Sequence, residues 1–317
     1  MDKGALEKRT QSMQPSVHPG KRFSFNRQSR IRITNFIFKY YFLVCILTLC
    51  FVLGLVIFLV GQTGLMTFQH ISPLEFFLSF NWTPEEDQFG AASLIINTLL
   101  LTGLTLLFAV PASVGIAIFI AEIAPQSLKR IIRPVLDMLV GIPSVVYGYI
   151  GLTVLIPIIR QYSGENLGDG LLAASLVLTL MILPTVSRIS DDAIVAVPES
   201  FREAAYALGS TRFQMIRLVV LPSAGRGIMS AIILGMARAI GETMAVVMVI
   251  GNTPQLVKSL IAPTAVLTSN IVMQVSNVEF ESTWNYALYM MAFLLLIISL
   301  LLIISIRIIR LKKEKHS

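Results

Sequence analysis

The chain has 317 residues, 55% of them hydrophobic and 14% charged, with a mean hydropathy of +0.76. Soluble domains carry roughly 25% charged residues, so the composition excludes a purely soluble enzyme and points to an all-α polytopic membrane protein. A net charge of +7 raises nucleic acid or anionic lipid as partners, but where the charges fall matters more than their sum.

In chain order, residues 1–34 are polar and basic and contain Pro, Gly and Ser, which predicts a disordered cytoplasmic tail. Crossing the hydrocarbon needs about 20 mainly apolar residues. Six runs qualify: 41–60, 93–120, 135–159, 171–186, 228–250 and 286–306. The first is read as a span and not a cleaved signal, because no small-x-small pattern follows "LVGQTG". Cys45 and Cys50 lie together in that run and read as packing residues, and His18, His70 and His316 form no ligand set. No metal and no cofactor are expected.

Lys and Arg accumulate on the cytoplasmic side, and 22 of the 25 fall in alternate segments. These segments are the chain before the first span, the connections after the second and fourth spans, and the C-terminal end from Arg307 onward. Both termini are therefore expected in the cytoplasm. Residues 260–275 are fairly apolar but are interrupted by Pro263, Thr264, Thr268, Ser269 and Asn270. A seventh span there would place the basic C-terminus outside, so an interfacial or re-entrant piece on the outer face is expected. The permease domain is assigned to 35–310.

The connection 188–227 reads "RISDDAIVAVPESFREAAYALGSTRFQMIRLVVLPSAGRG". Pro198 suits the start of a helix, and Glu199 and Glu203 place negative charge near its positive end. Phe201, Ala204, Ala205 and Leu208 recur at helical spacing, and Gly209 sits where a C-terminal cap belongs. A second segment, 211–221, is expected to run back to the membrane and end at Pro222. The plain reading is a helical hairpin on the membrane surface. The functional one is a docking element with an apolar and acidic face.

These residues carry a resemblance. Glu203, Ala204, Ala205, Gly209, Val219, Leu221 and Pro222 are similar to the E-A-A-x3-G-x9-I-x-L-P loop of binding-protein-dependent ABC importer permeases, with Val219 in place of Ile. The resemblance implies a type I importer permease fold and a coupling helix around Glu203 that seats on a cytoplasmic ATPase. The chain carries no G-x4-G-K-[ST] phosphate loop, so any ATP hydrolysis belongs to a partner and the chain itself is not expected to be an enzyme.

The fifth run carries Arg238 and Glu242. On a continuous helix at about 100° per residue, they share a stripe of small residues with Ala231, Gly235 and Ala245, while bulky apolar residues cover the far side. An Arg in mid-membrane costs at least about 2.5–3.5 kcal/mol. Two readings stand: an intrahelical ion pair, or an anion site in which Arg238 offers a planar fork of donors to an oxyanion. Ser144, within "GIPS", follows a Gly-Pro interruption of the third run. It is a hydrogen-bond donor for an anion or merely part of a kink. Asp137 is expected at the interface or paired with a basic loop residue. Thr98, Thr102 and Thr105 are expected to bond to their own helix.

"GMARAIGETMAV", "GIPSVVYG" and "FNWTPEEDQFGAASLIINTLL" resemble stretches of phosphate ABC importer permeases, the last matching the PstC-type subunit rather than its PstA-type partner. The resemblance implies import of inorganic phosphate through a pathway shared with a second, PstA-type permease. It also implies two cytoplasmic ATPase subunits, an extracytoplasmic phosphate-binding protein, a bacterial inner-membrane location, and Arg238 and Glu242 as pathway residues. Another oxyanion (phosphonate, sulfate or molybdate) and a proton-coupled carrier are the alternatives.

Overall fold

The structure, a computed structural model, describes residues 24–164 and 167–314, with side chains described from residue 34 to residue 308. The chain divides into two units, residues 1–58 and 59–317. In the first, helix α1 (Ser24–Leu65) presents only exposed side chains between residues 34 and 58. Apolar residues cover every face there, as lipid contact requires. The tail expected over 1–34 lies outside the described residues as far as residue 23, and from Ser24 the chain is helical. Residues 315–317 also lie outside.

The larger unit begins with the end of α1 and a small cap. The cap holds helix α2 (Pro73–Leu78) and a hairpin of β1 (Trp82–Thr83) and β2 (Gln88–Phe89), with Trp82 opposite Phe89. Helix α3 (Ala92–Ile118) follows and runs into a π-turn at Phe119–Ile123. The third run is divided into α4 (Gln126–Val140), α5 (Ser144–Ile150), a π-turn at Gly151–Leu155 and α6 (Ile156–Ser163). Then come α7 (Leu171–Val195), α8 (Glu199–Ala207) and α9 (Arg212–Met215). A π-turn at Ile216–Val220 leads into α10 (Leu221–Gly241). Helices α11 (Met244–Val249), α12 (Leu267–Gln274) and α13 (Thr283–Glu314) complete the chain.

Six helical runs among the described residues are long and apolar enough to cross a membrane: 34–69, 92–123, 144–163, 171–195, 212–241 and 283–308. Their number matches the expectation, but several limits move. The third begins at Ser144 instead of residue 135, because Gly141–Pro143 ends α4. The fourth continues from Val186 to Val195, since its terminal charges Arg188 and Asp191 are paired within the protein. Pro222, expected to end a segment, instead lies inside the helical run 212–241, directly after the π-turn Ile216–Val220. The 260–275 piece is too short to span: α12 has 8 residues and Leu267, Thr268, Ser269 and Asn270 are buried.

Helix α7 is the axis of the larger unit. In its apolar window 61% of residues are buried, against 22–28% for the other spans of that unit, and it packs on α3, α4, α10 and α11. One core joins Leu101, Ile156, Leu178, Met181, Ile182, Val246 and Val249. A second, under the cap, joins Phe76, Trp82, Phe89, Leu94, Leu267 and Met291. There the indole N–H groups of Trp82 and Trp284 both donate to Gln274 Oε1, at 3.1 and 2.9 Å.

Asn97, fully buried on α3, fastens the 255–265 loop. Its amide nitrogen lies within reach of Gln255 O (2.9 Å), Thr264 Oγ1 (2.7 Å) and Ala265 O (3.0 Å), and its carbonyl accepts from Val257 N–H (3.2 Å). Removing it strands several buried groups, each costing about 1–3 kcal/mol. Asn97→Leu is expected to lower the melting temperature of the detergent-solubilised protein and to open residues 255–265 to protease before the helices unfold. Proteolysis followed by mass mapping checks this.

Candidate functional site

The stripe that placed Arg238 and Glu242 on one continuous helix is corrected by the structure: α10 stops at Gly241. Glu242 has extended backbone (φ −72°, ψ 127°), and the chain re-enters a helix at Met244. Glycine is a weak helix residue, and the Glu242 carboxylate rewards the break by accepting the Ala245 N–H at 3.2 Å, capping α11. The Glu242 carbonyl, freed from the ladder, accepts from Thr268 Oγ1 on α12 at 3.2 Å. A wheel imposes its period on any stretch, and neither the cap nor Thr268 is visible to it.

Arg238 remains on the last turn of α10, half-buried. Its Nη1 donates to Thr185 Oγ1 on α7 at 3.2 Å. Among the described residues no carboxylate lies within ion-pair distance of it, and Glu242 pairs with no cation. Arg238 and Glu242 thus flank one break without touching. Thr185 was missed from sequence, because nothing local links it to Arg238.

Ser144 belongs to the other break. Gly141 and Pro143 separate α4 from α5, Ser144 opens α5 half-buried, and its hydroxyl makes no hydrogen bond to another described residue. The Tyr147 hydroxyl donates across the gap to Leu139 O at 3.0 Å. Glycines bring the two broken spans together. A Cβ on Gly148 would stand 2.9 Å from Ala245 Cα, and one on Gly151 would meet Val177 and Val249 at 2.5 and 2.8 Å. Of the expected helix-bonded threonines, Thr98 and Thr102 donate to Leu94 O and Thr98 O, whereas buried Thr105 finds no partner.

At the other end of α7, α8 carries Glu203, Ala204 and Ala205. Glu203 and Ala204 are exposed, as are Phe201 and Leu208, while Ala205 is buried against Ala117, Ile194, Met215, Ile216 and Val220. Gly209 has φ +79°, and Ser210 N–H to Ala205 O (3.1 Å) with Gly209 N–H to Tyr206 O (2.9 Å) closes the helix in a left-handed cap. A capping box of Thr211 and Gln214 starts α9; its T-x-x-Q signature stood in the sequence and was not used. Leu221 packs beside this core, and Pro222 is exposed.

Two ion-pair systems at this end were also missed. Asp191, fully buried, takes Arg133 Nε at 2.8 Å and Nη2 at 3.0 Å, and Arg188 Nη1 at 3.4 Å. Arg188 also reaches Asp192, and bonds Asp137 at 3.0 Å, which realises the pairing expected for Asp137. Arg202 pairs with Glu122 at 2.8 Å, with both side chains largely buried.

Residues 113–315 match the family model described as "Binding-protein-dependent transport system inner membrane component". The chain belongs to this permease family. The permease is 45% identical over 78% of its length to the "Probable ABC transporter permease protein YqgH" of Bacillus subtilis, covering 81% of that protein. It is 36% identical over 76% of its length to the "Phosphate transport system permease protein PstC" of Haemophilus influenzae, covering 82% of it. Among solved structures it resembles the inward-facing MetNI methionine ABC transporter (TM-score 0.55, 22% identity, 73% of this chain and 98% of that one). It also resembles a bacterial ABC transporter importing alginate (TM-score 0.59, 15% identity, 88% and 98%). These establish an ABC importer permease fold in a multi-pass inner-membrane protein, of PstC type.

The two neighbouring aspartates separate burial from mere proximity. Breaking a buried pair from one side costs about 3–5 kcal/mol, whereas exposed pairs are worth about 1 kcal/mol or less. Asp191 has a fully buried side chain and Asp192 one that is 62% exposed. Asp191→Asn should therefore lower the thermal midpoint of the solubilised permease several-fold more than Asp192→Asn, as read by tryptophan fluorescence on heating.

Proposed function

We propose that this permease forms, with a second PstA-type permease, the pathway of an ATP-driven importer of inorganic phosphate. An extracytoplasmic binding protein delivers the anion, and two cytoplasmic ATPase subunits dock at α8. Both termini lie in the cytoplasm, in line with the distribution of basic residues. Hydrolysis belongs to the ATPases, and this chain binds no cofactor.

The observation that carries the reading is Arg238. It is a half-buried guanidinium at a helix break, bonded to the Thr185 hydroxyl and, among the described residues, without a carboxylate in ion-pair reach. An intrahelical ion pair would have given it a purely structural purpose, but Glu242 is engaged in capping α11. A guanidinium fork matches two oxygens of a tetrahedral oxyanion, and a single such contact holds an anion without trapping it. PstC is the name of many of the relatives, which supports phosphate over other oxyanions. Ser144, at the neighbouring break, is the second donor proposed for the pathway. The role of Glu203, Ala204, Ala205, Gly209, Leu221 and Pro222 in seating the ATPase is supported by the exposed face of α8 and by its rigid cap.

Reconstituted complex in proteoliposomes tests the reading. Arg238→Gln should reduce ATP-dependent uptake of labelled phosphate by about ten- to a hundredfold, the scale expected from loss of a charge-assisted contact worth about 1.5–3 kcal/mol, while the complex still co-purifies. Failure to assemble would instead assign Arg238 a structural role. Excess sulfate or molybdate should not compete, and uptake driven by a proton gradient alone would overturn the ATP-driven reading.

Glu203→Lys places a cation on the exposed face of α8 and should weaken co-purification of the ATPase while leaving the thermal midpoint of the permease unchanged. Normal ATP-coupled uptake by that variant would remove α8 from the coupling role.

A further inference from the structure

Arg202 stands beside Glu203 on α8 but points the opposite way. Its Nη2 donates to Glu122 Oε1 at 2.8 Å and to Ile194 O at 3.0 Å, its Nε reaches the same carboxylate at 3.2 Å, and its Nη1 donates to Val197 O at 2.7 Å. The guanidinium therefore clasps the end of α7 and the end of the second span at once. Its side chain is 11% exposed and that of Glu122 is 8% exposed. Glu122 sits in the π-turn Phe119–Ile123, where the extra residue turns its carboxylate toward α8 and its carbonyl toward Arg212. On its outer side Arg202 Nη1 also contacts Glu199, whose side chain is 74% exposed, at 3.3 Å.

Apolar contacts around Ala205 slide with little resistance along their surfaces, because dispersion is non-directional. A buried ion pair with several directional bonds does not: separating it leaves two desolvated charges. We propose that the Arg202–Glu122 pair is the tie that transmits movement of α8 to the second span, Arg202 being a positioning residue that touches no substrate. This rests on the reading of α8 as the ATPase-docking helix. Glu203 would meet the ATPase on one side of α8 while Arg202 pulls α3 and α7 on the other.

The test uses the assembled transporter with Glu122→Gln, Arg202→Met and, as control, Glu199→Gln. The first two should co-purify with the ATPase and hydrolyse ATP, yet move about tenfold less phosphate per ATP, the scale of a coupling energy carried by one contact. Glu199→Gln should leave the ratio unchanged. A nitroxide at Leu107→Cys on α3, with Cys45 and Cys50 replaced by alanine, follows α3 without reference to cargo. Its spectrum should change on ATP trapping in the otherwise wild-type chain and stay fixed in Glu122→Gln. An unchanged ratio and an unchanged nitroxide response in Glu122→Gln, or loss of assembly in both variants, would overturn the tie. Absence of phosphate uptake by the wild-type complex, with its nitroxide response intact, would count against the substrate and not against the tie.

Discussion

A helix interrupted inside a membrane leaves backbone donors and acceptors that no water can satisfy, and the larger unit is organised around two such interruptions. At Gly141–Pro143 the Tyr147 hydroxyl crosses the gap to Leu139 O. At Gly241–Thr243 the Glu242 side chain supplies an acceptor and Thr268 a donor. The far end of α11 is treated the same way. Val247 O takes the Asn252 side chain, Val249 O takes Gly170 N–H, and Ile250 O takes Thr264 N–H. The 251–265 loop thus supplies two of these three partners, the Asn252 side chain and the Thr264 N–H. Asn97 is buried where it is because that loop must in turn be held.

The breaks also explain the glycines between them. Two half-helices, α5 and α11, can approach closely only where side chains are absent, and Gly148 and Gly151 provide that approach against Ala245 and Val249. Ser144, Arg238 and Glu242, beside the breaks, are half-buried. Arg238 has a polar partner there, the Thr185 hydroxyl, which reduces the cost of a charge without cancelling it.

What was legible in the sequence was local. Six apolar runs, the interruption at "GIPS" and the glycine cap at Gly209 each follow from residues adjacent to the feature. Lengths failed where a distant partner intervened. Val186 looked like the end of the fourth span because Arg188 follows, but Arg188 and Asp191 are neutralised by Asp137 and Arg133 on another helix, so α7 continues to Val195. The break at Glu242 escaped notice for the same reason. Its stabilising partner on α12 lies 26 residues away, and a carboxylate outside a helix start looks on a wheel like one more polar residue. Arg202 and Glu122, 80 residues apart, carried no local sign of their pairing.

These charges differ in a way that bears on purpose. At the α8 end, buried charges are matched: Asp191 by two arginines, Arg202 by Glu122 and by backbone carbonyls. Matching of that kind fixes helices relative to one another, since separation exposes desolvated charge. At the break of the fifth span the Glu242 carboxylate is turned to a helix cap, and Arg238 keeps a hydroxyl as its partner. A neutral neighbour holds the guanidinium in position but leaves its positive potential intact. Matched charge at the α8 end and unmatched charge at Arg238 is the distribution that the roles proposed for α8 and for Arg238 call for.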